Sequence, residues 1–430
     1  MNSIKDKNSF IHAFRQSSPY INAHRKKTFV LLLDGKAVQS PKLPGIVNDI
    51  ALLNSLGVRI VLVYGIRSLI EEELAKQGIA SEFRSGRRIT SYPVLEIIMQ
   101  ISGKCRFELE ALFSQGLPNS PMHGSNIRTV SGNFITAKPL GVIDGCDFQF
   151  AGGVRKVDTG AIESLLVNDN IVLLSNIGQS PTAECFNIAA EDVAVAAASA
   201  LRADKLIVFT AEDKEQKLPR ELMPRQAESL LAGSNDSTLR CMLDACQSGV
   251  KRCHLISFET DGSLLLELFT TDGVGTLLSS DPFESIRQAT IADVGGIISL
   301  LEPLEEKGIL VKRERELLEQ EIHHFIVIER DGIVIACSAL YLFDNGAAEI
   351  ACVVTHPDYR GNSRGAQMLA FLEKKASEHG LTHVFVLTTQ TAHFFLEQGF
   401  SESSLDALPK QKQQLYNYQR NSKVFSKKIS

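Results

Sequence analysis

Four short runs of the chain are continuously apolar: Thr28 to Leu33 (TFVLLL), Val58 to Tyr64 (VRIVLVY), Ile171 to Ser175 (IVLLS) and Lys205 to Phe209 (KLIVF). Runs this short, without polar alternation, suit strands buried on both faces of a parallel sheet. Between them the spacing becomes helical, as over Ile46 to Leu56 and Glu191 to Leu201. Alternation of strand and helix predicts an α/β sandwich. Residues 1–22 read as a separate amphipathic helix, with Phe10, Ile11, Phe14 and Tyr20 as its apolar marks.

The pattern changes near TLLSSDPFESIRQAT, Thr276 to Thr290. Ser-Ser-Asp-Pro interrupts regular structure, and this stretch is expected to be a linker. Beyond it come two helical segments, Ala292 to Glu305 and Glu314 to Glu321, and the strand-like runs HFIVIER, IVIACSALYL and AAEIACVV. A loop, a helix from Gly365 to His379 and the run HVFVLT follow. Meandering strands with one loop–helix–strand unit predict a smaller α+β domain. The expected organisation is therefore two domains, 1–280 and 281–430.

Composition narrows the class. Of 430 residues, 44% are apolar and 22% charged, enough to bury sizeable cores. A net charge of −5 gives no global attraction for nucleic acid. The eight cysteines form no Cys-x-x-Cys pair, and Cys241, Cys246 and Cys253 lack zinc-ligand spacing, so no metal is expected. The polar start, MNSIKDKNSF, has no signal-peptide core, and no apolar run approaches the roughly 20 residues that cross a bilayer. A cytoplasmic protein with reduced thiols and no membrane partner is the expectation.

Candidate chemistry concentrates in HPDYRGNSRGAQML, His356 to Leu369. Successive backbone N–H groups leading into a helix N-terminus can hold a phosphate. Gly361 and Gly365 permit close backbone approach, and Arg360 and Arg364 add positive charge. An ordinary solvated turn shares this pattern. The preceding strand, EIACVVTHPDY, could however pair its backbone with an extended ligand. With that context the segment resembles the GNAT acetyltransferase superfamily, whose signature is Arg/Gln-x-x-Gly-x-Gly/Ala after a strand. The matching hexamer is RGNSRG or, one residue on, GNSRGA. The resemblance implies acetyl-CoA as co-substrate. Arg360, Gly361, Ser363, Arg364, Gly365 and Ala366 would meet its pyrophosphate, and Val353, Val354 and Thr355 would pair with the pantetheine arm. FFLEQGF, Phe394 to Phe400, resembles the superfamily's usual ending.

Nearly the whole chain resembles the bacterial N-acetylglutamate synthase family, an amino-acid-kinase-like α/β/α sandwich joined to a C-terminal α+β GNAT domain. The carrying stretches are SPYINAHRKKTFV, VSGNFI, HLISFETDGSLLLELFTTDGVGT, GILVKRERELLE, EIACVVTHPDYR, VFVLTT and QLYNYQR. The implied reaction transfers acetyl from acetyl-CoA to L-glutamate, the first step of arginine biosynthesis. Two carboxylates call for cations, and arginine's fork suits them best. Arg313 and Arg420 are implied at the substrate, with Lys312 beside them, although VKRERELLE could equally be a solvated helix face. Glu349, a lone carboxylate within AAEIACVV, matches the family's proposed general base; an edge-strand charge is the plainer reading. Thr388 takes the place of the donor to the departing thiolate, where a backbone hydrogen-bonder would also fit. Cys352, expected on the same side of the strand as Glu349, is read as a wall of the substrate site.

The N-terminal part resembles N-acetylglutamate kinase with its phosphate-handling places eroded. Where that family has Lys-x-Gly-Gly, this chain has Leu32 at the lysine place and Asp34-Gly35 for the glycines. VYGIRSL keeps Gly65 alone from His-Gly-Gly-Gly-Pro, and FNIAAED replaces Asn-x-Asn-Ala-Asp. A kinase-inactive domain is implied. HLISFETDGSLLLELFTTDGVGT matches the arginine-sensing signature of arginine-inhibited relatives, implying His254, Glu267 and Gly273 as contacts to L-arginine and Tyr20 as a lid. Family resemblance also implies a homo-oligomer, a hexamer. A non-catalytic arginine-responsive protein and a bifunctional kinase–transferase are the competing readings.

Overall fold

Leu31 sits opposite both Leu62 and Ile207 in the middle of a parallel sheet, and the reason lies in its neighbours. Along Thr28–Leu33, Val30 and Leu32 enter one apolar cluster, while Phe29, Leu31 and Leu33 enter another. Strand Arg59–Tyr64 divides in the same way, Val61 and Val63 to one side and Ile60, Leu62 and Tyr64 to the other. Each strand feeds two cores, so its sequence is apolar throughout and helices cover both faces.

The computed structural model describes residues 2–115, 124, 127–211, 218–234, 236–270, 273–280, 284–330, 332–343, 346–361, 363–414 and 422–429, with backbone alone for 2–10, 12, 16 and 358. The chain divides into two units, Met1–Asp281 and Pro282–Ser430. Among the described residues the first unit carries an eight-stranded sheet. Its spatial order is Glu221–Leu222, Thr276–Ser279, Arg252–Ser257, Lys205–Thr210, Thr28–Leu33, Arg59–Tyr64, Ile171–Leu174 and Thr129–Ser131. All pairings are parallel except that of Arg252–Ser257 with Thr276–Ser279. A four-stranded sheet, including Ile135–Pro139 and Gly152–Val157, was not evident from the apolar pattern, because its short strands are part exposed. The N-terminal helix runs Asn2–His24, with Ile11 and Phe14 exposed; the side chain of Phe10 lies outside the description.

Among the described residues the second unit carries a seven-stranded sheet ordered Ser285–Gln288, Phe325–Arg330, Ile333–Leu342, Ala347–Thr355, His383–Thr388, Lys423–Lys428 and Ser401–Ser403. Helix Arg364–Glu378 covers one face through Met368, Leu369 and Leu372. Helix Val294–Glu306 covers the other through Val294, Ile297, Leu300 and Leu301.

The expected linker, Thr276 to Thr290, is corrected here. Thr276–Ser279 closes the first sheet antiparallel to Arg252–Ser257, and Ser285–Gln288 opens the second against Phe325–Arg330. Each is short, and Ser285–Gln288 is half exposed, so neither carried a long apolar signal.

Candidate active site

Strands Ala347–Thr355 and His383–Thr388 run parallel and pair only from Ala347 opposite His383 to Glu349 opposite Phe385. Beyond that register they continue as strands without pairing to each other. The divergence leaves a wedge with main-chain edges on its two sides. A cavity of about 890 Å³ fills it, lined by Ile350 to Thr355 on one side and Val386 to Thr391 on the other. Its size is within the usual range for small-molecule sites. Val353, Val354 and Thr355 line it, as does the bend that follows, through Arg360, Gly361, Ser363, Arg364, Gly365 and Ala366.

The bend begins with its backbone. Gly361 has φ 100° and Ser363 φ 56°, both left-handed. Ser363 precedes a 15-residue helix, Arg364–Glu378, and its own side chain makes no capping bond. The first-turn amides therefore remain at the positive end of the helix dipole, beside the cavity. Gly365 packs closely as well: a Cβ there would lie 2.9 Å from Phe394 Cζ, the tip of a half-buried ring. Arg360 is exposed, with Nε 3.4 Å from the Thr355 carbonyl. Arg364 departs from expectation. Its guanidinium is buried and turns inward, bonding Glu284 through Nε at 2.8 Å and also the Tyr359 carbonyl. It builds the bend instead of offering its charge to a ligand.

At the apex of the wedge lies Glu349, only 6% exposed. Its Oε2 is 2.7 Å from Lys412 Nζ, a partner that sequence reasoning missed. KQKQQ is an unremarkable polar run, and nothing local marks Lys412. Cys352 is three positions past Glu349, and simple alternation would face it the other way. A bulge intervenes: the pairing with Ile333–Leu342 shifts register, and Cys352 takes φ 54°. The extra residue returns Cys352 to Glu349's side, where both line the cavity. Burial pushes the Cys352 thiol up to about 11, although Arg313 pulls it down. At neutral pH it is a protonated wall, not an activated nucleophile.

Arg313 lines the same cavity. Burial works against its charge, but facing Cys352 and Tyr341 more than offset this and raise its pKa. Lys312 is exposed and does not line the cavity. Arg420 lies outside the described residues. Thr388 lines the cavity at its strand's end; its Oγ1 accepts from the Thr391 amide at 3.1 Å and lies 2.9 Å from Thr391 Oγ1.

The first unit has its own cavity, of about 380 Å³, at the ends of its central strands. Leu32, Asp34, Gly35, Lys36 and Gly65 line it. Asp34 is occupied as a helix cap, accepting from Ala37 N at 2.7 Å. Elsewhere in the unit His254, Glu267 and Gly273 come together. Glu267 Oε1 is 2.6 Å from His254 Nδ1, and Oε2 accepts from the amides of Val274 and Gly275, both at 2.8 Å. A Cβ on Gly273 (φ 59°) would lie 2.5 Å from Glu267 Oε2, so the turn closes tightly over the carboxylate. Lys205 Nζ, 3.1 Å from His254 Nε2, completes the chain. A neutral imidazole, donating from Nδ1 to Glu267 and accepting at Nε2 from Lys205, satisfies every contact. The N-terminal helix docks beside it: Ser17 Oγ donates to the Phe269 carbonyl, and His24 Nε2 lies 3.0 Å from that of Leu268. Tyr20 is half-buried on that helix.

Residues 27–257 match the model of the amino acid kinase family, and residues 296–400 that of the acetyltransferase (GNAT) family. The chain is 49% identical over 429 residues to an amino-acid acetyltransferase of Ectopseudomonas mendocina, covering 98% of this chain and 99% of that protein. It is 48% identical, with the same coverage, to that of Azotobacter vinelandii. A crystal structure of N-acetylglutamate synthase from Neisseria gonorrhoeae, complexed with coenzyme A and L-arginine, is 34% identical and superposes with a TM-score of 0.90, covering 98% of this chain and 99% of that one. With the same coverage, the Neisseria enzyme complexed with coenzyme A and N-acetyl-glutamate is 35% identical with a TM-score of 0.62.

The buried chain in the first unit makes its stability depend on pH. Burial, then Lys205, lower His254 from 6.5 to about 4. Burial would raise Glu267, but His254 and the two amides hold it down, from 4.5 to about 2. Both folded pKa values lie below their unfolded ones, so protons favour the unfolded chain. The contribution of these two groups is complete above pH 6.5. It is lost from 6.5 towards 4 through His254 and from 4.5 towards 2 through Glu267. Thermal unfolding of this unit, followed by calorimetry, should therefore fall with pH below 6.5. A His254→Gln variant should flatten the limb between 6.5 and 4; parallel curves would contradict the assignment.

Proposed function

Since this chain belongs to the amino-acid acetyltransferase family, with an amino-acid-kinase-like unit joined to a GNAT unit, we propose that it is an N-acetylglutamate synthase. It transfers acetyl from acetyl-CoA to the α-amino group of L-glutamate, as the first step of arginine biosynthesis in the cytoplasm, under inhibition by L-arginine. One observation carries this reading: a buried carboxylate already paired with an ammonium, Glu349 with Lys412, shares a cavity with a helix N-terminus that the Ser363 side chain leaves uncapped. An amine nucleophile and an anionic cofactor can both be accommodated there.

The chemistry follows from that placement. Amides of the 361–366 bend hold the diphosphate, and the unpaired edge of Val353 to Thr355 bonds the pantetheine arm as an added strand would. Arg313, held protonated, meets a glutamate carboxylate, with Arg420 and Lys312 assigned to the same substrate by family resemblance. Glu349 takes a proton from the substrate ammonium, directly or through water. The free amine then attacks the thioester carbonyl, the C–N bond forms and the C–S bond breaks. The departing thiolate accepts a hydrogen bond from the Thr388 hydroxyl and leaves as the free thiol, taking up the proton that the attacking nitrogen sheds. Cys352 walls the substrate.

The kinase-like unit is assigned to regulation. Leu32 stands where a phosphate-binding lysine would be needed, so ATP turnover is not expected. The turn around Glu267 and Gly273, with His254 and the helix carrying Tyr20, is assigned to L-arginine. Coupling requires that arginine bind two states of the protein unequally. Assembly into a homo-oligomer, a hexamer, belongs to the same proposal.

Release of free thiol from acetyl-CoA should depend on glutamate and fall when arginine is added. ATP should not be consumed in the presence of N-acetylglutamate. No thiol release would favour a purely regulatory protein, and ATP consumption a bifunctional one. Glu349→Gln should reduce kcat by roughly 10²–10⁴-fold, with little change in KM for acetyl-CoA. An unchanged rate at neutral pH would remove Glu349 as the base. Glu267→Ala should leave the transferase rate intact and abolish arginine inhibition; retained inhibition would put the effector elsewhere.

A further inference from the structure

We propose that Glu284 is a positioning residue for acetyl-CoA, acting through Arg364 on the bend that holds the diphosphate. This rests on the cofactor assignment made above. The bend from Tyr359 to Arg364 is closed into a ring by its own last residue: the Arg364 backbone starts the helix, and its Nη1 donates to the Tyr359 carbonyl. The same guanidinium lies 5.5 Å from the centre of the Tyr359 ring. Both ends of the bend are thus held by one side chain.

That side chain is buried, and a buried guanidinium without a counter-charge is costly. Glu284 supplies the counter-charge through both of its oxygens, bonding Arg364 Nε at 2.9 and 2.8 Å as well as Nη2. Arg330 Nη1 lies 3.4 Å from the same carboxylate, which is itself 17% exposed. The carboxylate is 80 positions before Arg364, near the start of its unit. It therefore ties the beginning of the chain's second unit to the turn that presents Gly361, Ser363, Gly365 and Ala366. Its charge never faces the cavity; its effect is to fix where the amides point. Ring closure before the ligand arrives removes an ordering cost from binding. A displaced ring would misplace the thioester relative to the amine.

A group that acts in this way changes one substrate's kinetics selectively. Glu284→Gln should raise the KM for acetyl-CoA about tenfold or more, with the KM for glutamate within about twofold. Calorimetric titration of CoA should weaken in parallel. Arg364→Lys keeps the charge but loses the fork, and should give the same split; it carries the test should Glu284→Gln fail to fold. Equal losses for both substrates, or an unchanged KM for acetyl-CoA in a folded variant, would overturn the positioning role. Gly361→Val, which disturbs the bend while sparing the ion pair, separates this claim from the underlying assignment. If it weakens acetyl-CoA while Glu284→Gln and Arg364→Lys do not, only the role of Glu284 falls. If it too leaves acetyl-CoA unaffected, the cofactor does not use the bend, and both readings fall.

Discussion

Two parallel strands that stop pairing part-way create the space in which everything else in the second unit is arranged. Ala347–Thr355 and His383–Thr388 share a ladder as far as Glu349 and Phe385, then separate. A main-chain edge inside a protein is a liability unless something pairs with it. Here it borders an 890 Å³ cavity, at whose apex the last paired residue is a carboxylate. The bulge at Cys352 extends the effect by holding a second side chain on the carboxylate's side. Backbone geometry thus sets the place, and a few charges give it chemical character. Those charges separate by role: Glu349, Lys412 and Arg313 line the cavity, while Glu284 and the Arg364 guanidinium maintain its wall.

The first unit uses buried charge in another way. Lys205, His254 and Glu267 form a hydrogen-bonded chain between strand and turn, and the turn closes so tightly that only glycine fits at position 273. Such a network is stable only when every member is satisfied. It gives the arginine-sensing assignment a physical setting, since a ligand bringing further charge would change the network's balance. The cleft at the strand ends, by contrast, has Leu32 and Lys36 in its lining and engages Asp34 as a cap.

Much of this was legible in the chain. Thr28–Leu33 and Lys205–Thr210 were clear because each feeds two cores and so cannot afford polar positions. The turn at Gly361 was legible because its left-handed backbone favours glycine. What escaped depends on partners distant in sequence. Lys423–Lys428 reads as a charged tail, yet Val424 and Phe425 are buried between two other strands. The expected linker became two strands because each found a ladder elsewhere in the chain. Lys412 and Glu284 carry no local signal at all, since their meaning comes from Glu349 and Arg364. Arg364 itself was read as a ligand contact because an arginine beside a phosphate-binding bend looks the same whether it faces in or out.

The most direct test is a crystal structure of this protein soaked with coenzyme A. The diphosphate oxygens should lie about 3 Å from main-chain nitrogens between Gly361 and Ala366, with the pantetheine arm along Val353 to Thr355. A cofactor bound instead in the cleft of the first unit, or along any other surface, would contradict the account.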